Sequence, residues 1–323
     1  MNTTRYARII GTGSYLPPNI VTNDDLAKRM ETTHEWIVER TGIEKRHIAG
    51  PDETSGSMAK IAAERAIESA GISPKDIDLI LVATVTPDFI IPSVSCLLQD
   101  HFNLGGCPAM DIGAACSGFI YGLSIADQYI KTGAAKTILL VASEAMSRII
   151  DWNDRRTCIL FGDGAGAVII QASDKPGICS THLHADGGYK DLLWAPSAFP
   201  SQKKEGLDPF VIMKGNEVFK LAVNHLSKSV DEVLEANHLK SSDLDWLVPH
   251  QANMRIIQAI AKKLNLPMEK VILTIADHSN TSAASIPLAM DAAIRDGRIK
   301  RGDKLLLEAF GAGLTWGSAL VVY

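Results

Sequence analysis

The 323-residue chain is 46% hydrophobic and 21% charged, which excludes disorder as its main state and suits two domains or one large α/β unit. Its 32 Lys and Arg against 37 Asp and Glu leave a net charge of −5, which excludes a general nucleic-acid binder and confines any anionic partner to a local basic patch. The apolar runs are strand-sized, far short of the roughly 20 residues of a membrane-spanning helix. The first 15 residues carry Arg5 and Arg8 but no apolar stretch, which argues against a signal peptide. The cysteines Cys96, Cys107, Cys116, Cys158 and Cys179 are odd in number and form no C-x-x-C pair. That argues for a reducing compartment, hence the cytoplasm, and against a disulfide framework or a structural zinc site.

In chain order, Gly11-Thr12-Gly13 follows the strand-like Ile9-Ile10 but runs into Pro17-Pro18 rather than a helix, so it fails as a dinucleotide fingerprint. Ile77–Val82 predicts a buried strand. Ala109–Ile112 predicts another, leading through Gly113–Gly118 into a helix over Phe119–Ile130 that ends at Gly133. Cys116 thus falls at a helix N-terminus, where unpaired N–H groups and the helix dipole favour a thiolate and small neighbours admit a substrate carbonyl. The alternative for Cys116 is a buried cysteine acting as a small hydrophobe. Cys96, Cys158 and Cys179 lie in apolar or strand-like runs and Cys107 begins a strand; all four read as structural.

Thr137–Val141 predicts a third strand, and Phe161–Ala167 leads into a fourth at Ala167–Ile170, so its glycines imply close sheet packing rather than a phosphate cradle. Asp186 to Met213 is one long irregular stretch rich in Gly, Pro, Ser and Lys, of the kind that is often functional or mobile. The strand at Trp246–Val248 ends in Pro249-His250, placing a histidine at a sheet end, where clefts open. His278 is a weaker candidate. Arg255–Lys263 predicts an amphipathic helix with Arg255 and Lys262 on one face, either a solvated surface or a dock for an acidic partner. Lys304–Leu307 predicts another strand.

The chain also repeats itself. Asp76–Val82 resembles Asp243–Val248 at an offset of 167, Phe102–Leu104 resembles Leu264–Leu266 at 162, Asp127, Ile130 and Gly133 match Asp291, Ile294 and Gly297 at 164, and Lys136–Leu139 resembles Asp303–Leu306 near 168. Collinear matches with so little drift imply two halves of one duplicated fold, α/β with buried sheets. An offset of 164 carries Cys116 onto Asn280, which also sits in a small-residue turn, and related halves would bring the two to one interface.

Three stretches together, Ala114–Phe119, Val248–Asn253 and Asn280–Ser285, resemble the β-ketoacyl-acyl-carrier-protein synthase III family. Glu35–Ile43, Phe161–Gly166, Gly215–Phe219 and Glu308–Gly313 extend the likeness over essentially the whole chain. The resemblance implies the thiolase fold: two duplicated halves, 1–174 with the nucleophile and 175–323 with His and Asn, each a five-stranded sheet between helices, in a five-layer α-β-α-β-α sandwich. It implies a Cys116–His250–Asn280 triad, an oxyanion hole from the backbone N–H groups of Cys116 and Ala312, and no metal or redox cofactor. The substrates it implies are a short acyl-CoA primer and malonyl-acyl-carrier-protein, joined by decarboxylative condensation to start fatty-acid synthesis. Thr32, Trp36, Arg40, Arg155, Asn216 and Phe219 would bind CoA, with Trp36 stacking on adenine. Lys220, Gln251, Arg255, Lys262 and Lys263 would dock the carrier protein, so that reversing Arg255 or Lys262 should spare the acyl-CoA half-reaction. The family is homodimeric, and Ile91 would close the acyl pocket of the partner subunit.

Two positions depart from the pattern: Ser279 stands where many relatives have Gly, and Ile91 where several acetyl-specific members have Phe. The first rival is a sister condensing enzyme making a specialised quinolone or polyketide starter; the second is a non-catalytic thiolase-fold subunit that binds acyl carriers.

Overall fold

The computed structural model describes residues 6–196 and 209–323. β1 (Tyr6–Tyr15) leads into β2 (Ile20–Thr22), α1 (Asn23–Ala27), α2 (His34–Thr41) and β3 (Lys45–His47), a small unit whose helices are capped by the hydroxyls of Thr22 and Thr33. α3 (Ser55–Ala70) starts at a Thr54 cap and ends at Gly71. It is followed by β4 (Leu79–Ala83), α4 (Val94–His101), β5 (Ala109–Ile112), α5 (Gly118–Thr132), β6 (Thr137–Ala145) and β7 (Asp163–Ser173). The strands predicted at 77–82, 109–112, 137–141 and 167–170 are therefore β4 to β7, and Gly133 ends α5 in the left-handed region as its position required.

The second run of elements is β8 (Ile178–Ala185), β9 (Leu193–Trp194), β10 (Ile212–Met213), α6 (Gly215–Ala236), β11 (Trp246–Pro249), α7 (Met254–Lys263), α8 (Ile275–His278), α9 (Ser285–Arg295), β12 (Lys304–Gly311) and β13 (Thr315–Val322). The stretch read as irregular from 186 to 213 carries the antiparallel β9–β10 ribbon at its base; residues 197–208 lie outside the described residues. Cys96, read as part of an apolar structural run, is instead exposed on α4.

The two main sheets share a strand plan. In the first, ordered β1-β7-β6-β4-β5, β4 runs parallel to β5 and β6, and β7 antiparallel to β6 and β1. In the second, ordered β8-β13-β12-β11, β11 runs parallel to β12, and β13 antiparallel to β12 and β8. The implied five strands per half hold only for the first sheet. In the second, the place beside β11 is taken by one isolated parallel bridge, Leu247 to Val271, because only residues 271–274 separate the Met268–Lys270 turn from α8.

Five layers result. α3 and α4 cover the outer face of the first sheet, α5 and α9 lie between the sheets, and α6, with α7 beside it, covers the second. The central core joins Phe119, Ile120 and Leu123 of α5 and Ile286, Leu288 and Met290 of α9 to Leu81, Leu140 and Leu307 of the sheets. Apolar strands buried on both faces need helices on each side, which is why these strands read as continuous apolar runs. Gly11 faces α3 so closely that a Cβ there would stand 2.5 Å from Ala66 O, so that glycine serves helix packing.

The repeat holds, but its register shifts at the functional turns. The 3₁₀ turn Ala115–Ser117, with Ala115 at φ 45°, corresponds to Ser282–Ala284, with Ser282 at φ 52°, at an offset of 167. The offset of 164 applies only at the helix ends, Gly133 and Gly297. The structural counterpart of Cys116 is thus Ala283; α9 is shorter than α5, and the matching glycines hid the slip. Asn280 still reaches the same interface, from the loop ahead of its turn.

Candidate active site

Strand β5 delivers the chain to the inter-sheet face, and the left-handed Ala115 turns it sharply so that Cys116 sits just before α5. The turn is fastened to the other half of the molecule: Ser117 Oγ lies 2.7 Å from Ala114 O and 2.8 Å from Thr315 Oγ1, and Thr315 Oγ1 lies 3.1 Å from Ala312 O. A Cβ on Gly311 would come within 2.7 Å of Cys116 N, so only glycine lets the 311–314 turn lie against the nucleophile's amide. Ala312, implied as the second oxyanion donor, follows Gly311 in this turn.

Asn280 is held from three sides. Its N–H donates to Leu160 O at 3.0 Å, its carbonyl accepts from Gly162 N at 3.0 Å, and its Oδ1 accepts from Ser282 N at 2.9 Å. With Oδ1 engaged, the side-chain NH₂ is the end left to meet a ligand. His250 follows β11, its N–H donating to Glu308 O at 2.8 Å. Its Nδ1 lies 2.6 Å from Ser285 Oγ, which also accepts from Gln251 N at 3.3 Å. The tautomer in which the Ser285 hydroxyl donates to Nδ1 puts the ring hydrogen on Nε2. Burial pushes the His250 pKa down to about 3, so the ring is a neutral hydrogen-bond donor at physiological pH.

Cys116, His250 and Asn280 line one cavity of about 450 Å³ together with Leu160, Phe161, Glu308 and Phe310. The cavity runs from these buried side chains to a surface mouth lined by Trp36, Arg40, Arg155, Asn216, Phe219 and Arg255. At the mouth the Arg40 and Arg155 guanidinium carbons stand 4.1 and 5.0 Å from the Trp36 ring centre, and that of Arg255 stands 5.7 Å from Phe219. A cationic, aromatic mouth over an apolar channel fits an anionic ligand with a slender neutral arm.

Several sequence-predicted residues fall elsewhere. Thr32 does not line the cavity; it lies just ahead of the α2 cap. Gln251 cannot dock a carrier protein. It is fully buried, its Nε2 donating to Pro249 O and Ile272 O and its Oε1 accepting from Thr274 N and Ile275 N, so all its bonds pin the loop after β11. Lys220 and Lys262 are exposed, whereas Lys263 pairs with Asp231 at 2.9 Å and offers less free charge. Ile91 is 84% exposed, at the tip of an apolar segment with Phe89 and Ile90, far from lining this chain's own cavity. His278 is half-buried, its ring edge-on to that of His47, and also lies outside the cavity.

The helix N-terminus does not by itself make Cys116 a thiolate. Burial pushes its pKa up to about 12 and the nearby Glu144 carboxylate adds to the rise; the Ser282 hydroxyl and its own N–H oppose this only in part. Glu308, missed in the sequence, is fully buried at the cavity wall, and burial raises its pKa to about 8. An unfolded glutamate ionises near 4.5, so folding at neutral pH takes up a proton here and stability falls as pH rises between those values. Glu308→Gln should flatten this slope: between pH 5 and pH 8 the variant should lose less stability than the wild type in urea titrations, and equal losses would refute the protonated state.

Two family profiles match the chain: "3-Oxoacyl-[acyl-carrier-protein (ACP)] synthase III" over residues 110–187, and the C-terminal region of the same family over 234–323. The chain is 60% identical over 322 residues to the β-ketoacyl-[acyl-carrier-protein] synthase III of Methylococcus capsulatus, covering 99% of this chain and all of that one. Among solved structures, the 3-oxoacyl-[acyl-carrier-protein] synthase III of Aquifex aeolicus superposes with a TM-score of 0.93 at 47% identity, covering 98% of this chain and 100% of that one. The priming β-ketosynthase of the R1128 polyketide pathway also superposes at 0.93, with 38% identity over 99% of this chain and 97% of its own. Full-length identity of this order, on a duplicated five-layer fold with a cysteine, a histidine and an asparagine facing one cavity, places the chain in the β-ketoacyl-acyl-carrier-protein synthase III family of condensing acyltransferases.

Proposed function

We propose that the protein catalyses the decarboxylative condensation of a short acyl-CoA primer, acetyl-CoA foremost, with malonyl-acyl-carrier-protein. The products are a 3-oxoacyl-acyl-carrier-protein, CoA and CO₂, and the step initiates type II fatty-acid synthesis. The observation that carries the reading is the meeting of Cys116, His250 and Asn280 at the buried end of one channel. A non-catalytic carrier-binding subunit has no use for that arrangement.

Cys116 attacks the primer thioester, and the acyl group passes to sulfur as CoA leaves. The N–H groups of Cys116 and Ala312 take the developing oxyanion. Malonyl-carrier then threads its arm down the same channel. The His250 Nε2–H and the Asn280 NH₂ donate to its thioester oxygen, so charge can gather there as CO₂ departs. The carbanion attacks the acyl-cysteine and releases the sulfur. The malonyl carboxylate is the source of the electron pair, and this chemistry calls for no metal or redox cofactor. At the mouth Trp36 and Arg155 would take the adenine, which must part them, and Arg40, Asn216 and Phe219 the rest of CoA. The division into halves at 1–174 and 175–323 is supported by the two sheets, which draw their strands from either side of that boundary.

The exposed run of Phe89, Ile90 and Ile91 supports a homodimer in which Ile91 closes the partner's acyl pocket. Among the described residues no helix is long and apolar enough to cross a membrane, and we place the enzyme in the cytoplasm. The match to a polyketide priming synthase keeps a second reading open for the primer alone; a panel of acyl-CoAs of increasing length, scored by mass of the acyl-enzyme, separates the two.

Carrier docking rests on Lys220, Arg255 and Lys262, with Lys263 largely committed to Asp231. Lys262→Glu should raise the KM for malonyl-carrier severalfold at low salt and leave acyl-CoA kinetics unchanged. The effect should fade at salt concentrations that screen exposed charges beyond about 8–10 Å. Arg255 lines the cavity mouth, so Arg255→Glu should impair both half-reactions, contrary to the expectation from the helix face alone. Unchanged carrier KM at low salt in Lys262→Glu would make this face a merely solvated one.

A further inference from the structure

Both backbone groups of Asn280 are bonded to one segment of the other half of the chain. Its N–H donates to Leu160 O and its carbonyl accepts from Gly162 N, both at 3.0 Å, and Phe161 forms a parallel bridge with it. The residue before it, Ser279, stands at φ 59° and ψ −162°, a conformation that is essentially glycine's alone. A serine persists there when its surroundings over-determine the backbone. Segment 160–162 is such a surrounding: a Cβ on Gly162 would collide with Ser279 Oγ, so the two chains lie in direct contact. The place of the Asn280 carboxamide in the channel therefore depends on what holds residues 159–162.

Arg46, at the middle of β3, holds them. Its side chain is fully buried and lies against Gly162, where a Cβ would stand 3.2 Å from Arg46 Cβ. Its Nη2 donates to Ile159 O at 2.9 Å, while Nη1 donates to Asn23 Oδ1 at 2.9 Å and Val21 O at 3.2 Å. Asn23 is also fully buried, and its Nδ2 donates to Ile43 O at 2.7 Å, so this acceptor is itself fixed. Among the described residues no carboxylate pairs with Arg46, and its Nε has no partner. Burial lowers its pKa to about 10, which leaves it charged at neutral pH. An unpaired interior cation is costly, and an apolar side chain would fill the space better if packing were the whole need. The acceptors belong to two distant stretches, 21–23 and 159, and a planar fork of donors serves both at once. Neither Arg46 nor Asn23 lines the cavity.

We propose that Arg46 is a positioning residue for decarboxylation: it fixes segment 159–162 and so sets the Asn280 carboxamide at the thioester oxygen of malonyl-carrier. The proposal rests on Asn280 as a donor to that oxygen. Acylation does not share the dependence. The Cys116 turn is fastened through Ser117, Thr315 and Gly311, and none of these contacts involves residue 46 or residues 159–162. Arg46 thus acts on one half-reaction, through the backbone and without touching substrate.

The test separates the two half-reactions in the full-length enzyme. Acyl transfer is followed by intact mass at saturating acetyl-CoA, because Arg155 at the channel mouth lies on the same stretch of chain as Ile159. Release of CO₂ from malonyl-carrier is measured across its concentration. Arg46→Lys keeps the charge but replaces two nitrogens, one toward 21–23 and one toward 159, by a single ammonium. It should acylate Cys116 within about threefold of the wild type and decarboxylate about 10- to 100-fold more slowly in kcat, with KM nearly unchanged, the scale of a catalytic group displaced by about 1 Å. Combined with Asn280→Ala, it should decarboxylate no more slowly than Asn280→Ala alone, since it acts through that residue. A general loss of structure would instead lower both half-reactions and add to the Asn280→Ala defect. If Arg46→Lys does not fold, Asn23→Ala, which removes one of the three acceptors, carries the same test and should show the same selectivity with a smaller loss. Equal losses in the two half-reactions, wild-type decarboxylation, or additivity with Asn280→Ala would overturn the role of Arg46. Wild-type decarboxylation in Asn280→Ala alone would overturn the underlying reading instead.

Discussion

Cys116→Ser should form no acyl-enzyme with acetyl-CoA and should lose condensation by roughly a thousandfold or more, the scale seen when a covalent nucleophile is removed from an otherwise intact site. The substitution replaces sulfur by oxygen with little change of volume, so the turn fastened by Ser117, Thr315 and Gly311 should persist. A serine hydroxyl is a far weaker acid than a thiol, and burial, which already pushes the Cys116 thiol up to about 12, makes it weaker still. The same variant should retain decarboxylation of malonyl-carrier, because His250 and Asn280 are untouched. The check is peptide mass spectrometry: label on Cys107 or Cys158 in the wild type would defeat the assignment. Both of those thiols are also pushed up by burial, and neither lines the cavity.

His250→Ala and Asn280→Ala should do the reverse, forming acyl-Cys116 while losing decarboxylation. In the proposed mechanism their donors, the His250 Nε2–H and the Asn280 NH₂ left free by Ser282, would face a thioester oxygen whose charge develops only when CO₂ leaves. A preorganised donor at a developing oxyanion in a dry site is worth about 3 kcal/mol, so each variant should decarboxylate malonyl-carrier about a hundredfold more slowly or worse. Because His250 stays neutral down to about pH 3, wild-type decarboxylation should show no histidine limb between pH 5 and 8. Wild-type decarboxylation in both variants would mean that the roles are misassigned.

The amino-acid order alone determined strands β4 to β7, β11 and β12, the helix that follows Cys116 and the glycines that end α5 and follow α9, because each depends on residues a few positions apart: apolar continuity, a cap, a left-handed turn. It also singled out Cys116 and His250, since a nucleophile at a helix start and a histidine at a strand end are local patterns. Other features were beyond its reach. Ser282 and Glu144 lie 138 positions apart and meet only because the Ser282–Ala284 turn of one half packs against the end of β6 in the other. Gln251 looks like any polar loop residue until the fold surrounds it with four backbone groups. The pairing of Cys116 with Asn280 by a constant offset misread the register, because α9 is shorter than α5 and matching glycines report where helices end rather than where they begin. Local sequence carries backbone propensity and periodicity, whereas burial, proton affinity and the meeting of distant side chains depend on how the two sheets stack, and there the low dielectric of the interior sets which groups hold their protons.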